Sequence, residues 1–166
     1  MIALDPILTW LENLPFSTVM RESDWAFPSV ESAHVVAICL VVGSIGIVDL
    51  RLIGLASRRS RVTDLTREIL PWTWGLFAVA VASGLTMFAS KAHAYVADAP
   101  FRWKMLCLAL AGLNMLAFHL TSFRRVRAWD GPGPTPLAAK AFGGVSLGLW
   151  ITIVGLGRWI GFTIVG

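Results

Sequence analysis

The chain alternates long apolar runs with short polar ones, and the length of the runs decides its class. Four windows of about 20 mostly apolar residues stand out, the length an α-helix needs to cross ~30 Å of hydrocarbon. They run from about Phe27 to Leu55, Ile69 to Tyr95, Phe101 to Phe123 and Leu137 to Val165. Pro28 and Pro71 fall in predicted first turns, where a missing N–H costs nothing. The breaker run from Asp130 to Pro136 precedes the fourth window. Nothing resembles the short alternating segments of a β-barrel. The predicted fold is therefore all-α, an integral membrane four-helix bundle forming a single domain over residues 1–166.

Residues 1–26 are expected to add a short interfacial helix. They carry Asp5, Glu12, Glu22 and Asp24, with Pro6 and Pro15 interrupting, unlike a signal peptide. Ile7, Leu8, Trp10, Leu11 and Leu14 share one helical face that could lie in the headgroup layer.

Composition strengthens this reading. The chain is 56% hydrophobic and 14% charged, with a mean hydropathy of +0.70, whereas soluble domains carry roughly 25% charged residues. A net charge of +4 does not point to nucleic acid, because the basic residues sit at the ends of the apolar runs. Arg51, Arg58, Arg59, Arg61, Arg67, Arg124, Arg125, Arg127 and Lys140 flank the first and third connections. Arg21, Lys91, Arg102, Lys104 and Arg158 belong to the opposite side. Nine against five places the richer side in the cytoplasm and both termini in the periplasm of a bacterial inner membrane.

Trp25, Trp72, Trp74, Trp103, Trp129 and Trp159 stand near span ends, as interfacial anchors do. Gly144 and Gly148, then Gly157 and Gly161, are spaced for close helix packing, as are Gly43 and Gly46. The glycine-rich fourth span is thereby a candidate surface for homo- or hetero-oligomers. Cys39 and Cys107 lie in apolar runs and read as small core residues.

Ionisable groups inside a bilayer are costly, so each is a candidate for function. Depth sorts them into two levels. At ~1.5 Å of rise per residue, His34 and His93 both fall within roughly 10 Å of the outer boundary. Glu31 precedes His34 by one turn and Arg158 approaches the same level from the fourth span. Ser83, Thr86, Ser90 and His93 form one stripe expected to face the bundle interior. The inner level holds Asp49 and Arg51 at the end of the first span, His119 in the third, and Asn114 deeper. Glu31, His34 and Asp49 lie within about 60° of one another around the first span.

Two chemistries fit. Histidines on neighbouring helices at matched depth can ligate a b-type haem, and His34 with His93 is the only such pair. Arg158 would then be placed for a propionate and Glu31 for the same site. His34 and His119 differ by ~18 Å in depth and cannot share one iron. Such a protein would exchange electrons with quinone or a periplasmic redox protein. Alternatively, Glu31, His34, Asp49 and His119 relay protons or pass an ion, as in a small transporter. An accessory subunit of a larger membrane complex, with no cofactor, is the third reading. No hydrolase triad, phosphate loop or metalloprotease motif is present, and no catalytic residue is assigned. The Gly43–Gly46 run lies inside a span and is a packing feature.

The run Glu31-Ser-Ala-His34, with Val42-Gly-Ser44 and Val48-Asp-Leu-Arg51-Leu-Ile-Gly54, resembles a family of small bacterial inner-membrane proteins of unassigned function. Leu70-Pro-Trp-Thr-Trp74, the stretch from Pro100-Phe-Arg102 through Asn114 to His119, and Gly157-Arg-Trp-Ile160 extend the resemblance over most of the chain. It implies a four-helix membrane fold and a bacterial origin, and no activity. His34, Asp49, Arg51, His119 and Arg158 match its motif positions, while His93 lies outside them. A more distant similarity to four-helix b-type cytochromes and copper-resistance membrane proteins rests on architecture and scattered histidines.

Overall fold

The computed structural model describes residues 5–56, 60–130 and 134–164, and among them every regular element is helical. The order is α1 (Asp5–Glu12), α2 (Pro15–Glu22), α3 (Ala26–Ile53), α4 (Val62–Ser90), α5 (Ala92–Ala97), α6 (Ala99–Leu120), a 3-10 turn (Phe123–Ala128) and α7 (Leu137–Thr163). Helices α3, α4, α6 and α7 are long and apolar enough to cross a bilayer. Their most apolar windows are only 11–28% buried, with Val36, Leu113, Ile151 and Phe162 among the side chains left outward. That much outward apolar surface needs lipid as its solvent. The molecule is a multi-pass membrane protein built as a four-helix bundle. Residues 1–4, Arg58, Arg59 and Val165, which entered the sequence reading, lie outside the described residues.

The second span differs most from expectation. It begins at Val62 rather than near Ile69 because a distant residue caps it. Asp130, from the α6–α7 connection, accepts the Val62 N–H at 2.6 Å and the Thr63 N–H at 3.3 Å, and the Thr63 hydroxyl donates to it as well. Two orphan donors of the first turn are thus satisfied from across the chain. Pro71 consequently sits inside the helix instead of in its first turn. The helix ends at Ser90, not Tyr95, where Lys91 adopts φ −143° and ψ 47°. At 29 residues it is about 43 Å long. Its first turns, with Asp64, Arg67 and Glu68, therefore project beyond a ~30 Å hydrocarbon layer.

The amino-terminal segment forms two short helices where one was expected. Asn13 and Leu14 interrupt it, and Pro15 opens α2 at a position where the N–H it lacks would have had no partner in the helix. The Ser17 hydroxyl ties α2 back to the Leu11 carbonyl at 2.8 Å.

Helix α3 packs on α4 and α7, and α7 packs on α6, but α4 and α6 make no comparable contact. Side chains join α4 to α6 near the terminal end, where Phe88 and Phe101 stack with ring centres 5.5 Å apart. The closest approach is at Gly143 of α7, where a Cβ would lie 3.0 Å from Leu52 Cβ and 3.1 Å from the Asp49 carbonyl oxygen. Gly144 and Gly148, expected to serve this purpose, would meet nothing within 4 Å, nor would Gly43 and Gly46. Spacing alone does not say which face of α7 meets its neighbour.

Each end of the bundle is closed differently. At the end holding the α3–α4 and α6–α7 connections, hereafter the loop end, the buried Arg51 donates to Ser60 O (2.7 Å) and Thr135 Oγ1 (3.1 Å). The opposite end, which carries both termini, is covered by α1, α2 and α5. There Arg21 joins the Glu12 carbonyl (2.6 Å) to the Ser90 carbonyl (3.1 Å).

Candidate functional site

A cavity of about 280 Å³ lies in the loop-end half of the bundle. All four long helices line it, from Val41 to Leu52, Thr66 to Phe77, Leu108 to His119 and Phe142 to Trp150. Its walls are mainly aliphatic and aromatic, including Trp74, Phe77 and Trp150. The polar groups are few: Asp49, Asn114 and His119, together with Ser44, Thr66, Thr73 and Ser146.

Asp49 is the group the surroundings fail to satisfy. Its residue is 5% exposed, and among the described residues its Oδ2 atom has no hydrogen-bond partner. Ser146 of α7 stands beside the carboxyl. The nearby hydroxyls are committed elsewhere. Thr73 donates to Ser44 at 2.8 Å, and Ser44 donates to the Val41 carbonyl at 2.8 Å. An orphaned polar atom in a low-dielectric interior costs roughly 1–3 kcal/mol, and more when it is charged.

His119 lines the same cavity. Its Nδ1 donates to the Met115 carbonyl at 2.8 Å, which fixes the proton there and leaves Nε2 as the nitrogen able to accept. Asn114 lines the cavity too, and its amide donates to the Phe142 carbonyl at 3.1 Å, bridging α6 and α7. Of the expected inner group, Asp49, Asn114 and His119 therefore share one space. Arg51 does not join them, because its guanidinium turns to the loop-end closure.

The terminal-end residues separate. His34 presses into the notch left by Gly84, whose missing Cβ would lie 3.0 Å from the imidazole, and its Nδ1 bonds Ser83 at 2.9 Å. His93 lies on α5, beyond the break at Lys91, with Nε2 3.1 Å from Asp5 Oδ1 and Nδ1 3.1 Å from Glu12 Oε2. Glu12 also accepts the His93 backbone N–H at 2.9 Å. Arg158 stacks on Phe162 of its own helix, 4.7 Å from the ring centre. Among the described residues no hydrogen bond or ion pair joins any two of Glu31, His34, His93 and Arg158. The expected stripe of Ser83, Thr86, Ser90 and His93 is cut at Lys91, because α4 ends before the histidine.

The His93 contacts have electrostatic consequences outside the bilayer. The Glu12 hydrogen bond raises the His93 pKa above 6.5, against a smaller opposing effect of desolvation, and Asp5 adds to it. Burial alone would raise Glu12, but the bonds from His93 and the charges of His93 and Arg21 bring it below 4.5.

For a b-type haem, one of the His93 ring nitrogens, both engaged by carboxylates, would have to be released to bind iron. Among the described residues no three His, Cys, Asp or Glu side chains converge as a metal site.

The cavity also recruits residues the sequence reading passed over. Ser44 and Thr73 stand in runs that carry the family resemblance but have no assigned role, Ser146 is a lone hydroxyl in an apolar helix, and Trp74 reads equally as an interfacial anchor. Lys104, counted only as an orientation signal, fills the space beside Gly157, its Nζ 3.6 Å from where a Cβ would stand.

Comparison with protein-family models, curated proteins and solved structures gives no match.

Proposed function

We propose that this chain is a small bacterial inner-membrane protein of the transport and proton-relay class, with Asp49 as the group that takes up and releases the proton. The observation carrying this reading is Asp49, a buried acid whose Oδ2 has no hydrogen-bond partner among the described residues, in the wall of a cavity that His119 also lines. Oδ2 of that carboxyl makes no hydrogen bond among the described residues, so a proton moves there without breaking one. His119 Nε2 is the acceptor in the same space. The bacterial inner membrane follows from the family resemblance, and the periplasmic termini from the excess of Lys and Arg at the loop end.

Infrared spectroscopy of the protein in proteoliposomes tests the reading. A carboxyl stretching band that shifts on transfer to D2O, responds to bulk pH and is missing from Asp49→Asn is expected. A band assigned to Asp49 that neither exchanges nor titrates would overturn it. The electron-carrier reading has its own readout. A reduced-minus-oxidised b-type band after haem-replete expression, lost in His34→Ala and His93→Ala, would displace the relay. A colourless protein is expected.

A further inference from the structure

We infer that the cavity between α4 and α6 binds a lipophilic organic cation, which competes with a proton for Asp49. The inference rests on the reading of Asp49 given above and adds the class of its second ligand.

The argument is one of complementarity. Among the described residues Asp49 is the only acid lining the cavity, and neither Lys nor Arg lines it. The charged and titratable groups nearby can be named from each packed element. Arg51, on the same helix, is spent on Ser60 and Thr135. Helix α6 contributes His119, whereas α4 contributes only the hydroxyls of Thr66 and Thr73, and α7 that of Ser146. Among the described residues no fixed positive charge lines the cavity with the carboxylate. A cationic ligand would supply the missing charge, and aromatic faces raise its affinity by a further cation–π attraction. Trp74, Phe77 and Trp150 place such faces around the same space.

Size and access agree. A volume of about 280 Å³ lies near the lower end of small-molecule pockets, roughly 300–1,000 Å³, and suits one aromatic ring with a small ammonium head. A permanently charged but lipophilic molecule enters the bilayer interface readily. Helices α4 and α6 both line the cavity and approach each other less closely than the other neighbouring spans, so entry between them disturbs the least packing. Exchange is balanced: the cation takes the carboxylate, and the proton leaves to bulk solvent.

Benzyltrimethylammonium and its neutral carbon isostere, neopentylbenzene, provide the test, with binding to purified protein in nanodiscs followed by calorimetry. The expected result is binding of the cation and at least tenfold weaker binding of the isostere. Cation affinity should weaken as pH falls, by up to tenfold per unit where the proton competes. Asp49→Asn should lose at least tenfold in cation affinity while keeping the wild-type helical circular dichroism. Trp150→Leu should weaken the cation more than the isostere. Equal binding of both compounds to wild type, a pH-independent affinity, or tighter binding of a short-chain quinone would overturn the inference. So would the absence of cation binding at millimolar concentration. An exchanging Asp49 band in the infrared, found beside such a failure, would leave the relay standing and remove only the cation.

Discussion

The two ends of the bundle handle ionisable groups in opposite ways. At the terminal end His93 is tied to Asp5 and Glu12, and Arg21 to two carbonyls. In the loop-end half Asp49 stands buried with one oxygen unpartnered. The first set lies at the edge of the bilayer, where water is an alternative partner and pairing is worth little. Asp49 lies where no water competes and an unmet polar atom is expensive. The terminal-end pairs fasten a cap. The lone carboxyl has no such structural return, which is why function is placed on it.

Substitutions can sharpen this contrast, the largest effect being at Asp49. Asp49→Asn is expected to abolish proton exchange at the site while leaving the thermal midpoint in detergent unchanged or higher, because removing a buried unpaired acid relieves a desolvation cost. A large loss of stability would mean the carboxyl is a structural partner after all. Gly143→Leu should follow, destabilising by about 1–3 kcal/mol through overpacking against Leu52 and the Asp49 carbonyl. The same change at Gly144, where a Cβ meets nothing, should be nearly silent. Asp130→Ala should cost about 1–2 kcal/mol by uncapping α4, read as faster amide exchange in its first turn.

The smallest effect belongs to the His93 clamp and is a pH profile. The raised His93 pKa makes its contribution full below 6.5 and lost as pH rises through the folded value. The lowered Glu12 pKa makes its contribution full above 4.5 and lost as pH falls through the folded value. Amide-exchange protection of α1 and α2 should therefore be greatest between these values and decline on both sides. His93→Ala should flatten the alkaline limb. Protection independent of pH would show that apolar packing, and not the clamp, holds the cap.

The four spans were legible because each is a long apolar run, and run length is a local property of sequence. The depth of Asp49, Asn114 and His119 followed from helical rise alone. What the pattern could not supply were interactions between distant segments. The start of α4 depends on Asp130, 68 positions from Val62. The choice of Gly143 over Gly144 depends on the rotation of α7 about its axis. The separation of His34 from His93 depends on one backbone turn at Lys91, a residue with no Gly or Pro signal. The cavity depends on how all four spans are rotated and spaced, and amphipathicity carries no trace of it in helices whose outer faces meet lipid.

Dicyclohexylcarbodiimide labelling of the membrane-embedded protein, mapped by peptide mass spectrometry, addresses the central claim most directly. This reagent partitions into hydrocarbon and attacks protonated carboxyls there. The account predicts adduct formation at Asp49, slowed as pH is raised, with Asp5 and Glu12 unlabelled at the charged terminal end. Labelling confined to the terminal-end acids, with Asp49 untouched across the pH range, would contradict it.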